Sequence, residues 1–465
     1  MSYSRNLWID RPEDLVFAAA PRPVQTRRGL TIGGGQVYAE LNFTLPPMEI
    51  THATFDRVCR IYDEAARGAL ARAAHLCAPG VVIEFETLPE LTMRPDWARK
   101  LCGILSAALE DAWSSRGLPG ALRATPNDLR EMIRPPVMRS GAYWDSMLET
   151  FDACAEQGAE LLSIESVGGK ELHDTAVQYA DLRQALFALC VLGVRDMDFV
   201  WSHVVRIAED RHVRAAGDTA CGFANTAMVL ADRGMIPRVF AAVDRAVSVV
   251  RSLAAYDAGA VGPGKDCGYE NAVLKALTGR PMSLEGKTAA CAHLSPLGNL
   301  PMAYADLWSN ESVAHTRLLG GMAPEVYMEQ LIYDCRLLNR AAADGPDAAR
   351  RLRDWLVESD APLDPQAYIL RPDNCIRLAR AVAAGESPYA AGRAVAAEAL
   401  TILRDALQTK SVRMDPREIP FLEAMDAALR NLPETEAEFI SQMRCEIDST
   451  VCRLDQYNLA DPVVA

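Results

Sequence analysis

Two patterns of hydrophobic and polar residues alternate along the first three quarters of this chain. One repeats with a period near 3.6 residues, which predicts amphipathic helices, and the other is a short apolar run, which predicts a buried strand. Each short run is followed by a helical segment, so strands and helices are expected to alternate. The main helices are predicted over Phe55–Leu76, Pro95–Arg116, Thr175–Leu189, Pro237–Leu253 and Ala323–Ala342.

The short apolar or β-branched runs supply eight candidate strands. Alternation of strand and helix favours parallel strands joined by right-handed crossovers. Eight such units predict a (β/α)8 TIM barrel, and six units in an open doubly wound sheet are the alternative. The candidate strands are Gln36–Phe43, Val81–Glu86, Ala121–Ala124, Glu160–Glu165, Val213–Gly217, Val249–Tyr256, Pro281–Glu285 and His315–Leu319.

From about Pro346 onward the pattern becomes helical throughout. We therefore expect a barrel with an N-terminal extension over residues 1–345 and an all-helical extension over residues 346–465. Such an extension could cover the barrel, bind a partner or form an oligomer interface. Its helices are predicted over Ala348–Val357, Asn374–Ala384, Tyr389–Leu407, Ile419–Leu432 and Glu434–Leu454.

Length and charge narrow the class of protein. The 465 residues, half of them apolar, suffice for one large barrel with an extension. With 48 Lys and Arg against 62 Asp and Glu, the net charge is −14, which argues against binding to nucleic acid or anionic membranes. No stretch approaches the roughly 18 apolar residues of a membrane span, and the N-terminus lacks the apolar centre of a signal peptide. We therefore expect a cytoplasmic protein.

Twelve cysteines are scattered along the chain without a CxxC pair. In a long chain without a secretion signal, this distribution argues against a disulfide framework. Most free cysteines are small buried hydrophobic residues. A chemical role is therefore expected only for cysteines that stand where a barrel places its active site.

One glutamate and two cysteines follow three successive candidate strands. Glu165 ends the fourth strand, Cys221 follows the fifth, and Cys267 follows the sixth. Barrels place their chemistry at the carboxyl ends of the strands, and neighbouring strands lie about 5 Å apart. Catalytic zinc takes three ligands of these types and keeps one position open. The strand ends therefore favour one zinc ion held by these three side chains.

Different interpretations of these residues stay open at this point. Cys221 could be buried at the start of a helix, Cys267 could pack below a glycine-rich loop, and Glu165 could cap a helix or form an ion pair. Cys291 and His293, with C-x-H spacing, are rival metal ligands.

The run GAVGPGK at 259–265 fits the pattern GxxxxGK of a nucleotide-binding loop. Asp266 stands where that loop needs Ser or Thr, and Pro263 lacks a backbone donor. A nucleotide site is therefore not expected.

Several segments at these positions resemble one known family. They are LLSIESVGGKE (161–171), AAGDTACGFANTAM (215–228), AYDAGAVGPGKDCGYEN (255–271), SLEGKTAACAH (283–293), DLWSNES (306–312) and DPQAYILRPDN (364–374). They resemble the methanol:corrinoid methyltransferase B subunit, from about residue 10 to the helical tail.

This resemblance implies a (β/α)8 barrel with one Zn²⁺ per chain, held by Glu165, Cys221 and Cys267. It implies that Cys291 is not a zinc ligand. It also implies a separate corrinoid-binding protein as partner and methanol as the methyl donor. Zinc would act as a Lewis acid on the methanol oxygen while cobalt(I) of the partner's corrinoid takes the methyl group. A homodimer and a heterotetramer with the corrinoid protein are both compatible with the sequence.

Asp218, Glu84 and Glu86 are candidate general acids because of their strand-end positions, and Lys265 and Lys287 could balance the anionic site. The chain departs from the family at Ala220, where a family member has an acidic residue, and in the segment after His293. These departures bear on the methyl donor, so a methyl ether, a methylated amine or a methylthiol could replace methanol as the substrate. Two further hypotheses are a zinc-dependent hydrolase or lyase and a non-catalytic binding module that retains the fold.

Overall fold

The computed structural model describes residues 5–218, 221–266, 269–286 and 297–459, without the side chains of Cys221 and Asp266. Its strands are β1 (Ala19–Gln25), β2 (Thr31–Gly34), β3 (Tyr38–Thr44), β4 (Val81–Glu86), β5 (Gly120–Thr125), β6 (Leu161–Ile164), β7 (Arg214–Asp218), β8 (Gly264–Asp266), β9 (Met282–Glu285), β10 (Leu307–Val313), β11 (Arg317–Leu318) and β12 (Gly321–Met322).

Helices follow most of these strands. Up to the end of the barrel they are α1 (Phe55–His75), α2 (Pro89–Thr92), α3 (Pro95–Arg116), α4 (Ala142–Glu156), α5 (Lys170–Tyr179), α6 (Leu182–Phe187), α7 (Val194–Asp210), α8 (Thr226–Asp232), α9 (Arg238–Asp257), α10 (Asn271–Thr278) and α11 (Ala323–Ala343). The helices after them are α12 (Pro346–Asp360), α13 (Pro365–Tyr368), α14 (Pro372–Ala383), α15 (Pro388–Thr409), α16 (Ile419–Arg430) and α17 (Glu436–Arg444).

Strands β3 to β10 form one parallel sheet in the order β7-β6-β5-β4-β3-β10-β9-β8. The first and last of them, β3 and β10, pair over seven residues from Tyr38 to Thr44, so the sheet curves back on itself. Strands β7 and β8 meet at the remaining seam, where the Val261 amide donates to the Ala215 carbonyl at 2.8 Å. The ring follows the chain order, which confirms the (β/α)8 barrel and excludes an open doubly wound sheet.

The β1–β2 hairpin lies at the amino end of the barrel, where Arg28 bridges to Gly120 at the start of β5. Leu30 and Ile32 of this hairpin pack with apolar residues from the barrel strands in a small buried cluster. The amino end is therefore closed, and the carboxyl ends of the strands are left for a site.

Two of the eight strand predictions were wrong. Val249–Tyr256 lies in helix α9, and the sixth strand is Gly264–Asp266. Residues 239–255 of α9 are all buried, and an apolar segment buried on every side has no amphipathic period to distinguish helix from strand. The eighth strand is Leu307–Val313 rather than His315–Leu319, of which only residues 317–318 belong to a short hairpin.

One helix prediction needs correction as well. Instead of one helix over Thr175–Leu189, α5 ends at Tyr179 and α6 begins at Leu182. Ala180 between them is left-handed with φ 51°, and the Asp181 side chain caps α6 by accepting from the Gln184 amide. In the tail, the helix predicted over Glu434–Leu454 ends at Arg444.

The helices after residue 345 pack on the barrel rather than apart from it. Helix α15 lies against α9, and α14 lies against α10. Their buried residues, such as Leu378 and Leu403, belong to the same apolar core as barrel residues such as Val249. Division of the chain at residue 346 remains a prediction. Within the described residues, no helix combines the length and the apolar character that crossing a bilayer requires.

Candidate active site

The carboxyl ends of the barrel strands carry several acidic side chains. Glu84 and Glu86 end β4, Asp218 ends β7 and Glu285 ends β9, while Glu165 follows β6 directly. Parallel strands bring these ends to one edge of the barrel, as the sequence pattern predicted. Their partners differ, and the differences separate their chemical roles.

Lys265 on β8 forms ion pairs with two of these carboxylates. Its Nζ lies 2.5 Å from Glu84 Oε2 and 2.8 Å from Glu285 Oε1, and all three side chains are almost fully buried. Thr125 donates to the other oxygen of Glu84 at 2.7 Å. Burial opposes ionisation of Glu84, but Lys265 and Arg123 outweigh it and hold the pKa of Glu84 below its ordinary value. Glu84 is therefore a charged, fully engaged residue, and a poor proton donor.

The pKa of Glu86 is raised, in contrast to that of Glu84. Burial, followed by the negative charge of Glu84, raises the pKa of Glu86 to about 7. One of its oxygens accepts from Asn42 Nδ2 at 2.8 Å. A carboxyl group with this pKa can hold a proton near neutral pH and release it, which is what a general acid requires.

Asp218 organises the backbone beside Glu165. Its Oδ1 accepts from the Ser166 amide at 3.2 Å and from the Ser166 hydroxyl at 2.9 Å. Its Oδ2 accepts from Arg251 Nη1 at 2.8 Å. Both oxygens are thus occupied, so the side chain ties the end of β7 to the start of the loop after β6.

Glu165 is the least committed of these carboxylates. Within the described residues its carboxylate makes no hydrogen bond, and the residue is half-buried. Burial, with smaller contributions from Glu86 and Asp218, raises the pKa of Glu165 to about 8. A Cβ placed on Gly222 would lie 3.1 Å from Glu165 Oε1, so this oxygen lies beside the residue that follows Cys221.

The loop after β6 is held by partners on several elements. The Val167 amide donates to Asp128 Oδ2 at 3.1 Å, and Arg130 links Asp128 to Asp196. The Gly169 amide donates to the Tyr457 hydroxyl at 2.9 Å. These contacts fix the loop that presents Glu165.

The other predicted ligands lie at the edge of the described residues or outside them. Cys221 begins a π-helical turn over Cys221–Asn225, where its backbone but not its side chain is described. Cys267, Lys287, Cys291 and His293 lie outside the described residues. In the described part of the chain, no three His, Cys, Asp or Glu side chains are grouped so as to hold a metal ion.

The other nine cysteines are free thiols. Seven are buried and two, Cys77 and Cys445, are exposed. The seven buried thiols agree with a role in packing, whereas Cys77 and Cys445 are not packing residues.

Sequence reasoning missed three residues that shape the site, namely Asn42, Glu285 and Arg251. Glu285 ends a correctly predicted strand, so its position alone could have identified it. Arg251 lies in a segment that was assigned to a strand, and its partners are 33 and 85 residues away in the chain. No local signal connects it to the site.

Comparison with known proteins agrees with this architecture. The model of the family described as methanol-cobalamin methyltransferase B subunit matches residues 2–459. A methanol–corrinoid protein co-methyltransferase of Methanosarcina barkeri is 35% identical over 444 residues, 94% of this chain and 95% of that protein. The crystal structure of the methanol:cobalamin methyltransferase complex MtaBC from the same organism contains a chain that matches with a TM-score of 0.93 at 34% identity, over 98% of this chain and 99% of that one. The resemblance seen in the sequence is confirmed, and the chain belongs to the methanol-cobalamin methyltransferase B subunit family.

Proposed function

We propose that this protein is a methyltransferase that transfers the methyl group of methanol to the Co(I) corrinoid of a partner protein, with one Zn²⁺ bound by Glu165, Cys221 and Cys267. The observation that carries the proposal is the placement of Glu165 at the barrel mouth, beside the residue that follows Cys221. Membership of the family supports the substrate and the partner.

The donor set fits zinc. Cysteine sulfur and glutamate oxygen are ordinary zinc ligands, and three of them leave one position open for a substrate. Glu165 has an oxygen uncommitted to any described residue, whereas Glu84, Glu285 and Asp218 are engaged by cations. A cation beside Glu165 would also favour its charged form. When bound, zinc supplies Lewis acidity that makes the methanol oxygen a better leaving group.

The protein's own residues divide the remaining work. Glu86 holds a proton at its carboxyl group near neutral pH and is the candidate donor to the departing oxygen. Lys265 offsets part of the negative charge that Glu84 and Glu285 bring to the mouth. Asp218 positions the Glu165 loop through Ser166. Because both of its oxygens already accept hydrogen bonds, Asp218 is not the proton donor in this proposal.

The test is to purify the chain, measure its zinc content and assay methylation of a Co(I) corrinoid by methanol. We expect one zinc per chain, and loss of both zinc and activity in Glu165→Gln and Cys267→Ala. Cys77→Ala, which replaces an exposed free thiol, is the control and should retain both. A zinc-free active protein, or a fully active Cys267→Ala variant, would contradict the proposal.

Two rival functions have distinct outcomes in the same assay. A methyl ether, a methylated amine or a methylthiol in place of methanol would give corrinoid methylation only with that donor. A zinc-dependent hydrolase or lyase would turn over without any corrinoid.

We also propose that the chain works in the cytoplasm and assembles as a homodimer or as a heterotetramer with the corrinoid protein. Light scattering of the chain, alone and mixed with that protein, distinguishes the two assemblies.

A further inference from the structure

Each proposed cysteine ligand begins the same short motif. Cys221 is followed by Gly222 and Phe223, and Cys267 is followed by Gly268 and Tyr269. Both aromatic side chains are buried, with exposures of 1% for Phe223 and 0% for Tyr269. The two rings therefore anchor the chain two residues after each cysteine.

Helix α9 places a buried arginine over each ring. The Arg251 guanidinium carbon lies 3.9 Å from the centroid of Phe223, and that of Arg245 lies 5.3 Å from the centroid of Tyr269. Both distances are within the roughly 6 Å over which a cation is attracted to an aromatic face. One helix thus contacts both motifs by the same kind of interaction.

Arg251 also binds the strand ends that lie next to the motif. It donates to Asp218 Oδ2 at 2.8 Å, to the Ser166 carbonyl at 2.7 Å and to the Ser166 hydroxyl at 2.6 Å. Ser166 follows Glu165, and Asp218 lies three residues before Cys221. A single guanidinium therefore connects the segments that carry two of the proposed ligands.

A second pair of residues supports Phe223. The His173 ring lies 5.1 Å from the Phe223 ring, and its Nε2 lies 2.9 Å from Oδ1 of Asp244, which is again on α9. Both members of this pair are fully buried.

The Tyr269 motif has its own restraint. Tyr269 adopts φ 67°, a left-handed conformation that a residue with a side chain keeps only where surrounding contacts impose it. Arg245 above it donates to Gln366 Oε1 at 3.0 Å and is itself only 1% exposed.

We infer that Arg251 and Arg245 of helix α9 are positioning residues that set where the two cysteine motifs stand relative to Glu165. This inference rests on the proposed zinc site and deepens it. Neither arginine is a metal ligand. Arg251 acts through Phe223, Ser166 and Asp218, and Arg245 acts through Tyr269. Removal of a residue that orients a metal ligand by a direct hydrogen bond typically changes metal affinity 10–100-fold, and we expect an effect at the lower end of this range here.

The experiment measures the site without relying on turnover. Protein stripped of metal is titrated with Zn²⁺ against a competing chelator, and the Co²⁺-loaded protein is examined by visible absorption. Arg251→Met and Arg245→Met should each weaken Zn²⁺ binding at least tenfold and change the Co²⁺ ligand-field bands. Phe223→Leu should weaken Zn²⁺ binding as Arg251→Met does. Phe223→Tyr, which keeps the aromatic ring, should bind Zn²⁺ as tightly as the wild type.

Arg353→Met is the matched control. Arg353 is also buried, but it donates to the Pro12 and Leu15 carbonyls, and none of its hydrogen bonds within the described residues goes to either motif. It should leave Zn²⁺ affinity and the Co²⁺ spectrum unchanged. Circular dichroism identifies any variant that fails to fold. If Arg251→Met does not fold, Phe223→Leu, which leaves every charge in place, still tests the inference.

The outcomes separate this inference from the proposed function. Wild-type protein that binds neither Zn²⁺ nor Co²⁺ would overturn the zinc site and this inference together. Wild-type protein that binds both, with Arg251→Met, Arg245→Met and Phe223→Leu all unchanged in affinity and spectrum, would overturn the positioning role alone.

Discussion

At the scale of single residues, the barrel interior is built around buried charges that are paired. Arg123 binds Glu40 and the Ser163 hydroxyl, and Lys265 binds Glu84 and Glu285. A buried pair contributes little net stability, but removal of one partner leaves a charge without compensation in a medium that solvates it poorly. The paired residues therefore respond to single substitutions much more strongly than surface ion pairs do.

Lys265→Met should lower the free energy of unfolding by about 3–5 kcal/mol, because it removes the buried ammonium group that pairs with Glu84 and Glu285 in the barrel. Urea unfolding followed by circular dichroism measures this change. Lys100→Met removes an exposed partner of Asp56 and should cost at most about 1 kcal/mol. A cost for Lys265→Met as small as that of Lys100→Met would show that the barrel solvates these carboxylates.

Glu86 should make folding stability depend on pH. Its pKa is about 7 in the folded protein against 4.5 for an ordinary glutamate, so the stability associated with its protonated form is complete below about 4.5 and is lost as the pH rises to about 7. We expect Glu86→Gln to lose less stability between pH 5 and pH 8 than the wild type does, as measured by urea unfolding at both values.

Glu90→Gln serves as the control for this pH dependence because Glu90 is exposed. It should follow the wild-type profile. Identical profiles for Glu86→Gln and the wild type would contradict the elevated pKa of Glu86.

At the scale of elements, the connection between β6 and α5 is fixed from outside the barrel as well as from within. Tyr457, in the last described turn of the chain, accepts from the Gly169 amide and donates to Glu171 Oε1 at 3.1 Å. Met138 and Arg139 bind Gln456 beside it. The C-terminal tail therefore restrains the loop that carries Glu165.

Tyr457→Phe should destabilise the protein by about 1–3 kcal/mol, because the buried Gly169 amide loses its acceptor. Hydrogen exchange measured by mass spectrometry should become faster in the loop that contains Gly169. Tyr333→Phe, at a half-exposed position, is the control and should leave this exchange unchanged. Unchanged exchange in Tyr457→Phe would mean that the tail does not restrain the loop.

At the scale of the whole molecule, the barrel and the helices after it share one apolar core. Helix α9 lies between them, with every residue from 239 to 255 buried, and it contacts both β7 and α15. Removal of the helices after residue 345 would expose apolar surface on α9 and α10 at a cost of about 25 cal/mol for each Å². The two parts are therefore expected to fold as one cooperative unit.

A chain that ends at Gly345 should fail to unfold cooperatively, whereas the full chain should show one urea transition that coincides by far-ultraviolet circular dichroism and tryptophan fluorescence. A chain that ends at Leu459 is the matched control and should behave like the full chain. Cooperative unfolding of residues 1–345 alone would instead establish the barrel as an independent domain.

Elements with local patterns could be predicted from the amino-acid sequence. Helix α3 was predicted with both of its bounds, since Pro95 starts it and the left-handed Gly117 ends it. Strand β4 was also predicted over its full length, because Val81–Glu86 is a short apolar run with polar residues at its end. The positions of Glu84, Glu86, Glu165 and Asp218 at the barrel mouth followed from these strand ends, and the resemblance to the family followed from the motifs around them.

Features that depend on contacts between distant parts of the chain became visible in the folded molecule. Gly264–Asp266 has poor intrinsic strand preference and becomes β8 because it pairs with β9, Lys265 opposite Ser283. The polar residues of β10 form a strand because they pair with β3 along its full length. Lys265 meets Glu84 across 181 residues of sequence, and Arg251 meets Ser166 across 85. Such contacts arise from barrel closure and helix packing, which no local pattern of hydrophobic and polar residues encodes.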